Sequence, residues 1–80
     1  MASHESILEK LLTLAAKRFE RDTSGLGPND DFFDRLAINS YQAMELLTEV
    51  EDEWRIEIPD YEVQDVRTFG ALAQLIADRI

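Results

Sequence analysis

Three stretches of this 80-residue chain carry apolar residues at three- and four-residue intervals, and helix-breaking residues separate them. Each interval pattern puts one apolar stripe on a helix and leaves the other faces polar. The first stripe is Ile7, Leu8, Leu11, Leu12, Leu14, Ala15 and Phe19, which predicts a helix from Ser6 to Phe19 or a little beyond. Lys17, Arg18 and Arg21 gather at its end, where cations complement the helix dipole. Ser24-Gly25-Leu26-Gly27-Pro28-Asn29 stops it. A loop of about fifteen residues then runs to Asn39, long for so small a chain. Phe32, Phe33, Leu36 and Ile38 give that loop apolar anchors, and a helical turn fits within Asp30 to Leu36.

The second helix is predicted from Ser40 to Trp54. Asn39 and Gln42 have the spacing of a capping box, with Asn in the usual Ser or Thr position. That makes Ser40 the first helical residue and leaves its hydroxyl toward solvent. At roughly 100° per residue, Ala43, Leu47, Val50 and Trp54 share one arc, flanked by Met44 and Leu46. Gln42, Glu45, Glu49, Asp52 and Glu53 share the opposite arc, with Tyr41 at its boundary. Arg55-Ile56-Glu57-Ile58-Pro59-Asp60 is an extended link expected to bury Ile56 and Ile58. A short helix including Tyr61 and Val63 follows. The last helix starts at a Thr68 cap, runs to Ile80 and buries Phe69, Leu72, Ala73, Ile76 and Ile80. The expected fold is all-α: one domain over residues 1–80, a small antiparallel four-helix bundle of three longer helices and one short one, with a long loop between the first two.

The chain has no cysteine, so neither disulfides nor thiolate metal sites can hold it. Seventeen acids against eight bases give a formal charge of -9. Such a surface repels phosphate backbones and anionic lipid, which argues against nucleic-acid and membrane binding and for basic protein partners. The start, Met1-Ala2-Ser3-His4-Glu5-Ser6, has neither a secretion signal nor an Arg-rich transit pattern, and no apolar run reaches bilayer length. A cytoplasmic monomer is expected. Catalysis by the chain itself is unsupported, because His4 is its only histidine and no serine has a credible base. Asp22-Thr23-Ser24-Gly25 and Asn29-Asp30-Asp31 do not match a calcium loop, and a solvated acidic loop is favoured over loose divalent binding at Asp30, Asp31 and Asp34. Gly25-Leu26-Gly27-Pro28 lacks the strand that precedes a phosphate loop.

The acidic arc of the second helix is the stronger signal. No Lys or Arg occurs between Arg35 and Arg55, whereas Glu45, Glu49, Glu51, Asp52 and Glu53 all do. Like charges four residues apart cost a few tenths of a kcal/mol. Helix stability alone would favour interspersed lysines, so the arc reads as a docking surface for basic partners. Ser40 lies at the head of that helix, where free amides and the dipole favour an anion on its oxygen.

The chain resembles the acyl carrier protein family, in its discrete single-domain form. The likeness is clearest from Phe32 to Ile80. It runs through Phe33-Asp34-Arg35-Leu36, Asn39-Ser40-Tyr41, Met44-Glu45-Leu46-Leu47, Glu51-Asp52-Glu53-Trp54 and Ile56-Glu57-Ile58-Pro59-Asp60. The resemblance implies that Ser40 carries 4′-phosphopantetheine, placed there from coenzyme A by a phosphopantetheinyl transferase. It also implies acyl cargo held as thioesters on that arm, as in fatty acid or polyketide biosynthesis. Partners would be acyl-loading, condensing or acyl-transfer enzymes with basic patches. Glu45, Glu51 and Asp52 fall on family docking positions, and the helical count extends that surface to Glu49 and Glu53. Leu47, Val50, Ile58 and Ile76 would line the space that can shelter an acyl chain.

The departures lie next to the serine. The family's usual Asp-Ser-Leu stands here as Asn39-Ser40-Tyr41, and Gln42 lacks the acid often found there. These three residues flank the modification point at the edge of the docking face. They point to a specialised carrier with a narrow partner set rather than the primary fatty-acid carrier. The alternative is an unmodified, carrier-like adaptor that binds basic partners through the acidic helix alone.

Overall fold

The computed structural model describes residues 4–80, so Met1, Ala2 and Ser3, where a secretion signal would begin, lie outside the described residues. It contains five helices: α1 (His4–Phe19), α2 (Phe32–Leu36), α3 (Ser40–Trp54), α4 (Asp60–Val63) and α5 (Phe69–Ala77). α1, α3 and α5 are the three predicted long elements. α2 is the turn expected within Asp30 to Leu36, drawn into a helix by its own cap. Among the described residues no strand forms, and a single isolated bridge pairs Asp31 with Thr68.

α1 packs against both α5 and α3. Arg18 near its end meets Glu45 and Glu49, and Lys10 further back meets Glu53, so α1 and α3 run antiparallel. His4 at the start of α1 lies 3.3 Å from the Gly70 carbonyl near the start of α5, so these two run side by side in the same direction. The bundle therefore goes up, down and up along the three long helices. The dominant stripe of each faces the common core: Ile7, Leu11 and Ala15 from α1, Leu46, Leu47 and Val50 from α3, and Phe69, Leu72, Ala73 and Ile76 from α5. Phe69 is fully buried and meets Phe32 edge-on, with ring centroids 5.7 Å apart. Such a pair adds about 0.5–1.5 kcal/mol to its area burial.

Three details differ from the sequence reading. The buried face of α3 is turned toward Leu46, which is 1 % exposed, while Met44 is 42 % exposed and Ala43 and Trp54 are only partly covered. The docking of α1 sets that rotation, and a helical wheel of α3 alone carries no information about it. Ile56 is half-buried whereas Ile58 is buried, because the Ile58 amide is held by the Glu51 carboxylate at 2.9 Å. α5 ends at Ala77 rather than Ile80, and Ile80 is 53 % exposed. The residues after α5 are held by the Gln74 side-chain amide, which donates to Asp78 at 2.9 Å, and by an ion pair from Arg79 to Glu62 of α4.

The long loop is fastened to the start of α5. Gly70 donates its amide to the Pro28 carbonyl at 2.8 Å, and Phe32 donates to the Arg67 carbonyl at 2.9 Å. Asp31 caps α2 by accepting from the amides of Phe33 and Asp34 at 2.8 and 3.2 Å, and it also takes Arg67 Nε at 2.7 Å. Thr23 closes the near end by donating its hydroxyl to the Leu12 carbonyl at 2.9 Å. A Cβ on Gly70 would come within 2.8 Å of the Pro28 oxygen, so the loop approaches as closely as it does because that side chain is missing. Gly70→Val should push Pro28 off α5 and cost about 1–3 kcal/mol, measured as a lower urea midpoint with an unchanged slope.

Candidate functional site

The geometry around Ser40 begins with the residue before it. The Asn39 backbone is extended, and its side-chain oxygen accepts from the Gln42 amide at 2.9 Å. Gln42 answers by accepting from the Asn39 amide at 3.0 Å, which completes the capping box that the sequence predicts. This fixes Ser40 as the first residue of a 15-residue helix. Ser40 is exposed. Asn39 satisfies only the Gln42 amide with its side chain, so the amides of Ser40 and Tyr41 have no partner within the helix. No acidic side chain lies in the first turn of α3. An anion on the Ser40 oxygen would meet amides and the positive dipole end, worth about 0.3–1 kcal/mol.

Ser40 also stands on the wall of a cleft of about 470 Å³. One side is apolar, with Phe32 and Phe33 from α2 and Ala43, Met44, Leu46 and Leu47 from α3. The facing side is built from α4 and the segment behind it, including Asp60, Val63, Gln64 and Arg67. Of the four lining residues expected from sequence, only Leu47 reaches this cleft. Val50, Ile58 and Ile76 are buried in the core. The α2, α4 and Arg67 contributions were not legible in the sequence as lining. The adjacent Phe32-Phe33 pair was the available hint, since a single core contact needs only one ring. Phe33 is the second: its ring is 4.8 Å from Phe32 and lies beneath the Arg67 guanidinium, also at 4.8 Å.

The acidic arc of α3 is less open than its sequence suggests. Arg18 reaches across from α1 to Glu45 and stands 3.7 Å from Glu49, while Lys10 holds Glu53 at 2.8 Å. The helix has no cations of its own on that arc, and α1 supplies them. Glu51 is turned to the Ile58 amide. Asp52 is exposed and has no ion pair among the described residues. Tyr41 is 76 % exposed beside Ser40. The loop acids Asp30 and Asp31 are engaged structurally, Asp30 by the Gly27 amide at 2.7 Å and Asp31 as the α2 cap.

Residues 9–76 match the family model described as the phosphopantetheine attachment site. This chain belongs to the acyl carrier protein family. The acyl carrier protein of Lactobacillus acidophilus is 35 % identical over 68 residues, covering 85 % of each chain. That of Rickettsia canadensis is 28 % identical over 79 residues, or 99 % of this chain and 92 % of its own. The solved acyl carrier protein from Enterococcus faecalis superposes with a TM-score of 0.80 at 25 % identity, covering 99 % of this chain and all of that one. A member of this family is a carrier rather than an enzyme, holds 4′-phosphopantetheine covalently and meets a phosphopantetheinyl transferase and acyl-handling enzymes. No described helix is long and apolar enough to cross a membrane. The residues present fit the group: an exposed hydroxyl at a helix head, uncommitted amides, no carboxylate in the first turn and a cleft with one apolar wall alongside.

One wall of that cleft depends on the Asp31–Arg67 pair. Desolvation opposes ionisation of Asp31, but the hydrogen bonds from Arg67 and from the Asp34 and Phe33 amides outweigh it and hold its carboxyl below the usual range. A depressed carboxyl contributes stability above its unfolded-state pKa and loses it as pH falls through the folded one. Asp31→Asn keeps a capping oxygen and removes the charge. It should be less stable than wild type at neutral pH, and the gap should close on acidification below the ordinary aspartate range, as read by urea unfolding at a series of pH values.

Proposed function

We propose that Ser40 Oγ is the attachment point for 4′-phosphopantetheine and that this is a specialised carrier rather than the primary fatty-acid one. The observation that carries the assignment is the position of Ser40: the capping box makes it the first residue of α3, exposed and on the wall of a cleft with one apolar side. Ser6 lies within α1 and Ser24 in the loop after it, and neither opens a helix. Modification would replace the Ser40 O–H bond with a phosphodiester. The nucleotide half of coenzyme A leaves as the pyrophosphate bond breaks, and the serine proton passes to the transferase. When bound, the group supplies the thiol that this cysteine-free chain lacks. The chain's own residues provide the anchor, the amides around the new anion and a cleft beside it.

An acyl chain would then lie along Phe33, Ala43, Met44 and Leu47. Val50, Ile58 and Ile76 would reach it only if the helices parted. Partner enzymes would dock on α3 through Glu45, Glu49, Glu51, Asp52 and Glu53, with Asn39, Tyr41 and Gln42 next to the serine deciding which enzymes fit. Tyr41 supports the specialised role, because a large exposed ring beside the reacting oxygen restricts approach. The chain's strong negative charge supports a monomer through self-repulsion, and its composition supports a cytoplasmic location.

Incubation with coenzyme A and a phosphopantetheinyl transferase should add one prosthetic-group mass to the intact protein, and Ser40→Ala should abolish the addition. An unmodified wild type across several transferases would favour the adaptor reading instead. Glu45→Lys should raise the KM of the transferase for the apo-carrier roughly fivefold. That loss should shrink as salt screens the contact. A KM that ignores both the substitution and salt would remove α3 as the docking helix.

A further inference from the structure

The acidic face of α3 is covered in part by cations that α1 supplies. The Arg18 guanidinium bonds to Glu45 and lies 3.7 Å from Glu49, two like charges one helical turn apart. One planar fork thus relieves a repulsion that α3 cannot relieve by itself. Lys10 pairs with the single carboxylate of Glu53 further along, at 2.8 Å. The side chains of Arg18, Glu45 and Glu49 are 35 %, 33 % and 38 % exposed, so each is reachable from solvent and none is locked away. Lys17, next to Arg18 in sequence, has no ion pair among the described residues.

We propose that Arg18 is a built-in competitor for the docking helix, and that displacing it from Glu45 and Glu49 determines which partner enzymes bind. This rests on the reading of α3 as the docking surface. A partner's lysine, a strongly hydrated point charge, exchanges poorly for a guanidinium that already spans two carboxylates. A partner's arginine can take the same place, and a carboxylate beside it can receive the released Arg18. The surface that fits this carrier is therefore an arginine flanked by an acid, rather than a uniformly basic patch. Arg18 acts as a specificity determinant through the groups it covers, and it does not touch the reacting oxygen.

Saturation kinetics of a phosphopantetheinyl transferase with coenzyme A and apo-carrier variants tests this at low ionic strength. Arg18→Gln uncovers both carboxylates and should lower KM for the carrier about two- to fivefold with kcat unchanged. Lys17→Gln makes the same change in net charge without uncovering α3, and should leave KM near wild type. Should Arg18→Gln lose its helical circular dichroism, Arg18→Lys takes its place, since one ammonium spans two carboxylates poorly and KM should still fall. A KM that is unchanged or raised in the folded Arg18 variant, or lowered equally by Lys17→Gln, overturns the proposal. With Glu45→Lys measured alongside, the two failures separate. If it raises KM while the Arg18 variant does not lower it, the competitor role is lost and α3 docking stands. If KM responds to neither, both are lost.

Discussion

The capping box between Asn39 and Gln42 is the contact on which the site depends. Its two reciprocal bonds, at 2.9 and 3.0 Å, decide where α3 begins. A cap of this type contributes about 1 kcal/mol, which is modest for a domain. Its larger effect is positional. Starting the helix one residue later would turn the Ser40 side chain into the cap and commit its oxygen to a backbone amide. Asn39 takes that role and leaves the Ser40 hydroxyl exposed. The departure from the family's usual aspartate therefore keeps the cap while removing a negative charge from beside Ser40, where we propose the phosphodiester is attached.

Around that fixed point the molecule is held by contacts of two ranges. Local ones shape each element: the Asn39 and Thr68 caps, the Asp31 cap of α2, and the left-handed Ala37 and Arg55 that close α2 and α3. Distant ones assemble the cleft: Pro28 on Gly70, Asp31 on Arg67, and Phe32 on Phe69. The long loop between α1 and α3 is thus a packed wall of the site. Its two phenylalanines serve both sides, Phe32 toward Phe69 in the core and Phe33 toward the cleft beneath Arg67.

What the sequence made legible follows the same division. Apolar spacing placed α1, α3 and α5, and side-chain chemistry at Asn39, Gln42 and Thr68 placed two helix starts, because both signals act within one turn of the chain. The rotation of α3 toward Leu46, the lining of the cleft by Gln64 and Arg67, and the cations over the acidic arc all come from residues far apart in sequence. Arg18 is the clearest case. Read along α1 it complements a helix dipole, and only the antiparallel packing of α1 on α3 brings it to Glu45. Ile80 shows the opposite limit: its spacing continued the α5 stripe, but the helix ends at Ala77 and leaves it 53 % exposed.

The central claim is that this fold presents one serine oxygen, that of Ser40, for the prosthetic group. Peptide mapping by tandem mass spectrometry of the transferase-treated protein tests it most directly. The added group should be found on the fragment containing Ser40, with the peptides carrying Ser6 and Ser24 unmodified. Attachment at either of those serines, or at any other residue, would contradict the claim.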